Sequence, residues 1–171
     1  ILDQTSFYPR GGGQEPDKGL IGDARVLEAI KQGDIVLHKV ENLSSLSERI
    51  MIKCKLDDAR RESITKHHTA THILNSSARN TLGSWIWQNS AFKDVNYGRL
   101  DITHHSALNK EEVERIEKTA NEIVMKNLDV NIKEYERGES EQKFSFRIYQ
   151  GGVVPSNKVR IVNISNFDIE A

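Results

Sequence analysis

Cysteine is almost missing: Cys54 is the only one in 171 residues. No internal disulfide can form, which suits a reducing, cytoplasmic setting and casts Cys54 as a small buried residue. No apolar run approaches the roughly 20 residues that cross a bilayer, and no basic stretch followed by an apolar one opens the chain, so a soluble protein is expected. Charge of one sign is not in excess either. Lys and Arg number 24 against 25 Asp and Glu, for a net charge of -1, which argues against a generally basic nucleic-acid binder and leaves room only for a local basic face. A start methionine and a polar tail are also lacking, the marks of an excerpt.

Two familiar motifs are nearly present, and what each lacks is informative. The run Gly11-Gly12-Gly13-Gln14 frees the backbone for positive φ and close approach. It has no Lys-Ser/Thr ending and no dinucleotide spacing, so neither ATP nor NAD follows from it. The stretch His67-His68-Thr69-Ala70-Thr71-His72 spaces two histidines by four, as zinc proteases do, but Thr69 stands where their glutamate base belongs. On a helix, His68 and His72 share one face, and paired imidazoles at that spacing are a half-site for zinc. Their plain alternative is two polar residues that satisfy hydrogen bonds.

The chain is long enough for a real core and shows no internal repeat. Short strands are expected over Ala24 to Ile30, Ile35 to Val40 and Arg49 to Leu56, the last with Ile50, Ile52, Cys54 and Leu56 inward. Together they suggest part of a small antiparallel barrel. A helix capped by Asp57 or Asp58 is expected to run to Gly83, with Ile64, Leu74, Ala78 and Leu82 on its apolar side. A hairpin of Ser84 to Phe92 and Arg99 to His105 follows. Asn109 and Glu112 resemble a capping box, opening a helix that buries Val113, Ile116, Ala120, Ile123 and Val124. Then come a strand from Val130 to Tyr135, a charged segment from Gly138 to Lys143, a Gly151-Gly152 loop and a strand from Lys158 to Ile164. The fold class is α+β: a partial antiparallel, barrel-like piece over residues 1-56 and an α+β domain over residues 57-171.

Four separated words agree with one family. Leu2-Asp3-Gln4-Thr5 leading into Phe7-Tyr8-Pro9 and Gly11 to Gln14, the helix word His68 to Leu74, Arg99-Leu100-Asp101-Ile102-Thr103-His104, and Phe146 to Pro155 together resemble the editing region of alanyl-tRNA synthetases. The third word and Ser84-Trp85-Ile86-Trp87-Gln88 look like the archaeal branch. Free-standing alanyl-tRNA editing proteins share this domain, the second additional domain of threonyl- and alanyl-tRNA synthetases.

The resemblance implies a zinc-dependent hydrolase that removes serine or glycine wrongly attached to tRNA(Ala). It implies His68 and His72 as zinc ligands, completed by a Cys-x-x-x-His element that in the family follows a segment like Asp168-Ile169-Glu170-Ala171. It places Gln88 and Thr71 in the editing pocket. Thr69 joins them as a candidate partner for the serine hydroxyl, although threonines inside helices also bond the carbonyl one turn back. The glycine loop (Gly11, Gly12, Gly13, Gln14), Arg10 and Arg99 are expected to face tRNA, with Arg60, Arg61, Lys66, Arg79 and Lys93 as further phosphate partners. Arg10 departs from the family, which more often has an acid there. No acidic residue near the helix word in sequence stands out as a general base, which favours a metal-ordered water. Two other readings stand beside this one: a free-standing deacylase acting in trans, and a metal-free tRNA-binding module.

Overall fold

A computed structural model describes residues 1-47, 51-150, 152 and 156-171. Arg49 and Ile50 of the third expected strand lie outside the described residues, as do Gly151 of the expected Gly151-Gly152 loop and Val153, Val154 and Pro155 of the fourth word. Contacts group the chain into two compact units, residues 1-68 with 91-99 and residues 69-90 with 100-171. The sequence break at 56/57 falls inside the first of them.

The first unit holds an open antiparallel sheet of β1 (Gly19–Ile21), β2 (Ala24–Gln32), β3 (Ile35–Val40) and β4 (Cys54–Leu56), in the order β3-β2-β1-β4. Ala24 and Val26 point inward by strand alternation. A register shift between Val26 and Glu28 then resets the phase, so that Ala29 is buried and Glu28 is not. Phe7, Ile21, Val26 and Ala29 form the core, flanked by Val36, Val40, Ile52 and Leu56. Among the described residues the sheet does not close into a barrel.

Cys54 corrects an expectation, because it is exposed. It sits on β4, a strand three residues long that among the described residues lies at the sheet edge, with a neighbouring strand on one side only. Ile52 and Leu56 still pack on the core.

Helix α1 runs Asp58–Leu82. Asp57 Oδ1 accepts from the Arg60 amide at 3.0 Å, capping the first turn. Gly83 stops the helix with φ +131°, and a side chain there would meet the Trp85 ring at 2.4 Å. The turn leaving the helix takes up residues 84-87, so the hairpin strands are shorter than expected: β5 (Gln88–Lys93) and β6 (Gly98–Ile102). The Asp94 amide donating to Tyr97 O at 3.0 Å closes their turn.

In the second unit, α2 (Lys110–Met125) opens on a true capping box, with Asn109 in place of Ser or Thr. The antiparallel sheet β7 (Val130–Glu136), β8 (Lys158–Ile164), β9 (Asp168–Glu170) pairs in that order. Between β7 and β8 the charged segment is helix α3 (Arg137–Phe144). Only Ser140 of α3 is buried, so it carries no apolar stripe that a periodicity search would find. Leu74, Val113 and Val124, expected inside, are exposed; they rim an apolar hollow of ≈ 380 Å³ with Ala70, Ile73, Ile116 and Ala120. Among the described residues no helix is long and apolar enough to cross a membrane.

Candidate functional site

The site is built on the polar face of α1. His68 and His72 lie one turn apart on this single helix, which sets both rings on one face. Each ring is gripped at Nδ1 by a partner far away in sequence. His68 Nδ1 lies 2.8 Å from Gln14 Oε1. An amide oxygen only accepts, so the proton at this contact belongs to Nδ1. His72 Nδ1 donates to Asp168 Oδ2 and to Glu170 Oε2, both at 2.9 Å. In both rings that arrangement makes Nε2 the nitrogen that carries the lone pair once the ring is neutral.

Asp168 and Glu170 reach His72 because β9 alternates: both carboxylates leave one face of the strand, while Ile169 leaves the other and packs with Ile148, Tyr149, Val159 and Ile161. Opposite them, His72, Asn75, Ser76 and Arg79 follow the helical period along α1. Ser76 Oγ donates to Asp168 Oδ1, and Asn75 Nδ2 donates to Glu170 Oε1 at 2.6 Å. Arg79 lies 3.8 Å from the same Glu170 oxygen. Both acids are 2% exposed, and buried charges persist where they are paired and hydrogen-bonded.

Among the described residues, His72, Asp168 and Glu170 are the one group of three whose atoms cluster within 4.8 Å. Both carboxylates meet the same ring nitrogen at hydrogen-bond length, which marks them as the ring's acceptors. Burial alone would lower the His72 pKa; the hydrogen bonds to Asp168 and Glu170, with their charges, outweigh it and raise it from 6.5 to about 9. Sequence reasoning missed both acids. The local traces are faint: Asp168 and Glu170 alternate within a strand of only three residues, and the polar residues at 72, 75, 76 and 79 on the helix do not say what they face.

The glycine loop does more packing than its composition suggests. Gly11 and Gln14 exchange backbone hydrogen bonds at 3.3 and 2.9 Å. Gly13, at φ +73°, lies so close to β5 that a Cβ would sit 2.0 Å from Ala91 O. Lys93 is buried and donates from Nζ to Gly12 O at 2.8 Å, while its amide donates to Gly13 O. Gln14 is 6% exposed and spends its side chain on His68. Arg10 is exposed and pairs with Glu15 at 3.1 Å and Glu28 at 3.7 Å. Arg99 is exposed on β6.

Of the other expected residues, Thr71 is 4% exposed and Thr69 half-buried. Gln88 opens β5, and its amide donates to the Gln150 side chain at 3.2 Å. Several cations expected to meet phosphate are engaged within the protein. Arg60 pairs with Asp94 at 3.2 Å and donates to Pro16 O, Arg61 pairs with the buried Asp17, and Lys93 and Arg79 are held as described. His38 bonds Thr5 Oγ1 at 2.8 Å and meets the Phe7 ring edge-on. His67 donates from Nδ1 to Asp94 O at 2.6 Å, tying α1 to the hairpin turn. His104 and His105 stack edge to face, away from this cluster in sequence and partners, with His104 Nε2 3.9 Å from Glu112.

No family model matches the chain. All 171 of its residues align with the Alanine-tRNA ligase of Nitrosopumilus maritimus at 56% identity and with that of Cenarchaeum symbiosum at 56%. The match to the same-named protein of Methanopyrus kandleri is 42% identical over 175 positions. In each case the whole of this chain is covered but only 19% of the relative, so the chain spans about a fifth of the length of the curated relatives it matches.

Proposed function

We propose that this chain, which aligns end to end with a stretch of alanine-tRNA ligases, is the part of such an enzyme that hydrolyses the ester of tRNA(Ala) mischarged with serine or glycine. The observation that carries the reading is the His68 and His72 pair on α1, each ring held with its proton on Nδ1 by an acceptor from a distant stretch. Metal-binding histidines are characteristically braced in this way through the other ring nitrogen.

The donor set fits zinc: two imidazoles at helical spacing, oriented by an amide and by carboxylates. His68 and His72 would hold the ion as two of its ligands. When bound, it would act as a Lewis acid on the ester, acidify a water or hold the substrate amino group.

The protein's own residues account for selectivity. A synthetic site for alanine rejects glycine poorly, because one methyl group is worth only about 1 to 3 kcal/mol, so a separate hydrolytic site is a sensible correction. Serine demands a polar partner for its hydroxyl, and a partner left unpaired by alanine spares the correct product. Thr71, Thr69 and Gln88 are the candidates. On the tRNA side, Arg10 and Arg99 supply exposed cations, and Gly11 and Gly12 supply a backbone that a nucleotide can approach closely. Gln14 serves beneath that surface, and Gly13, though exposed, packs close against β5.

The test is deacylation of seryl-, glycyl- and alanyl-tRNA(Ala) by the full-length protein, beside its His68→Ala and His72→Ala variants. The expected result is hydrolysis of the first two esters, lost in both variants, with alanyl-tRNA(Ala) largely intact. A zinc-loaded protein that leaves seryl and glycyl esters whole overturns the reading.

A further inference from the structure

We infer that Gln14 is a positioning residue for His68: its side-chain carbonyl locks the imidazole in the Nδ1-protonated form and fixes the ring's angle on α1. The inference rests on the proposed function only where a metal is concerned; the tautomer lock is a property of the protein alone.

Three observations converge. First, the contact is short and protected, with His68 Nδ1 2.8 Å from Gln14 Oε1 and Gln14 6% exposed. A buried amide with so little access to water gives up a hydrogen bond reluctantly. Second, the backbone of Gln14 is clamped before its side chain reaches out. Gly11 bonds it on both sides of the turn, Gln14 bridges Lys93 of β5, and the Lys93 ammonium holds Gly12 O. The tight approach of Gly13 to Ala91 adds a contact that any larger residue would break. The glycine run, read from sequence as a ligand-facing loop, thereby acquires a second task, which is to bring one amide oxygen to one imidazole. Third, the two histidines are braced differently: His72 by two carboxylates, His68 by a neutral amide. A carboxylate makes the ring more basic and a bound cation less electrophilic, whereas an amide sets the tautomer without adding negative charge. The asymmetry assigns grip to His72 and orientation to His68.

The test reads ring tautomers in the metal-free protein labelled with ¹⁵N-histidine, at a pH where the His68 ring is neutral. In the wild type, His68 is expected as the Nδ1-H form. Gln14→Ala should move it toward the Nε2-H form, and Gln14→Glu, which keeps an acceptor in place, should restore it. The ¹⁵N signals of the His72 ring serve as the internal control for folding and should stay unchanged throughout. Zinc affinity should fall about 10- to 100-fold in Gln14→Ala and recover in Gln14→Glu. A wild-type His68 found as Nε2-H overturns the inference whether or not any variant folds; so does an unchanged His68 in a folded Gln14→Ala protein. The spectra involve neither zinc nor tRNA, so a protein that fails to deacylate leaves this result standing, and a failed tautomer lock leaves the deacylation result standing.

Discussion

Asp168 Oδ2 accepts a hydrogen bond from His72 Nδ1 at 2.9 Å, across 96 residues of chain. The strand that ends the described chain is thereby fastened to the helix that carries both candidate zinc ligands, and the fastening is polar throughout. Ser76 and Asn75 hold the same carboxylates from their other sides. A core that places a charged layer at this point accepts a desolvation cost that apolar side chains would avoid. That choice is understandable if the ring must be held in one orientation.

Removing Asp168 should therefore cost more than removing a surface acid. Asp168→Ala leaves His72 with one acceptor fewer and Ser76 with none at this contact, in a site 2% exposed. Breaking a buried hydrogen-bonded pair from one side costs about 3 to 5 kcal/mol. Urea unfolding at pH 7 is expected to show a loss of that order. Asp168→Asn, which retains one acceptor, should lose less; equal losses in the two variants would assign the effect to packing rather than to the His72 contact.

The same pair predicts how stability responds to pH. The folded His72 pKa is raised from 6.5 to about 9, so protonated His72 favours the folded state. Its contribution is complete below about pH 6.5 and is lost as pH rises through about 9. The shift corresponds to something on the order of 3 kcal/mol, with little screening at a side chain 13% exposed. Metal-free protein in chelator should thus unfold at lower urea at pH 10 than at pH 6. The Asp168→Asn, Glu170→Gln double variant should flatten that slope, and an undiminished slope in the double variant would trace it to other groups.

Much of this architecture can be read from the chain, and the parts that cannot have physical reasons. The bounds of α1 are legible because Asp57 and Gly83 are capping residues, and those of β3 and β8 because their β-branched residues lie next to turn-forming residues such as Gly33-Asp34, Ser156-Asn157 and Ser165-Asn166. Helix α3 is illegible because it buries only Ser140. Strands β1 and β9, three residues each, are shorter than any periodic signal. In the site, the His68 and His72 spacing is a local pattern and can be found by eye. Gln14, Asp168 and Glu170 reach those rings only through tertiary pairing, 54 and 96 residues away for Gln14 and Asp168. Nothing in a one-dimensional string marks such distances.

Two glycines with similar backbone angles should respond differently to a methyl group. Gly13 (φ +73°) and Gly33 (φ +61°) are both left-handed, but a Cβ on Gly33 meets nothing within 4 Å while one on Gly13 meets Ala91 O at 2.0 Å. Gly33→Ala should cost only the conformational penalty, about 1 to 2 kcal/mol. Gly13→Ala must also push the loop off β5, and its loss should exceed that of Gly33→Ala in thermal or urea unfolding. Under the proposed role of the loop, Gly13→Ala should further disturb the His68 ring, whereas Gly33→Ala should leave it untouched.

Selectivity gives the sharpest test of the pocket residues. Thr71 is 4% exposed on the turn that carries both histidines, and Thr71→Val removes its hydroxyl with almost no change of shape. If that hydroxyl pairs with the serine side chain, the loss is one hydrogen bond, about 0.5 to 1.5 kcal/mol or up to roughly tenfold in kcat/KM. Hydrolysis of seryl-tRNA(Ala) should fall by that factor. Glycyl-tRNA(Ala) offers no hydroxyl and should be cleaved as before. Gln88→Leu is expected to follow the same pattern if its amide shares the task. A variant that loses seryl and glycyl hydrolysis equally has damaged the scaffold or the metal rings, and the hydroxyl assignment at that residue is then withdrawn.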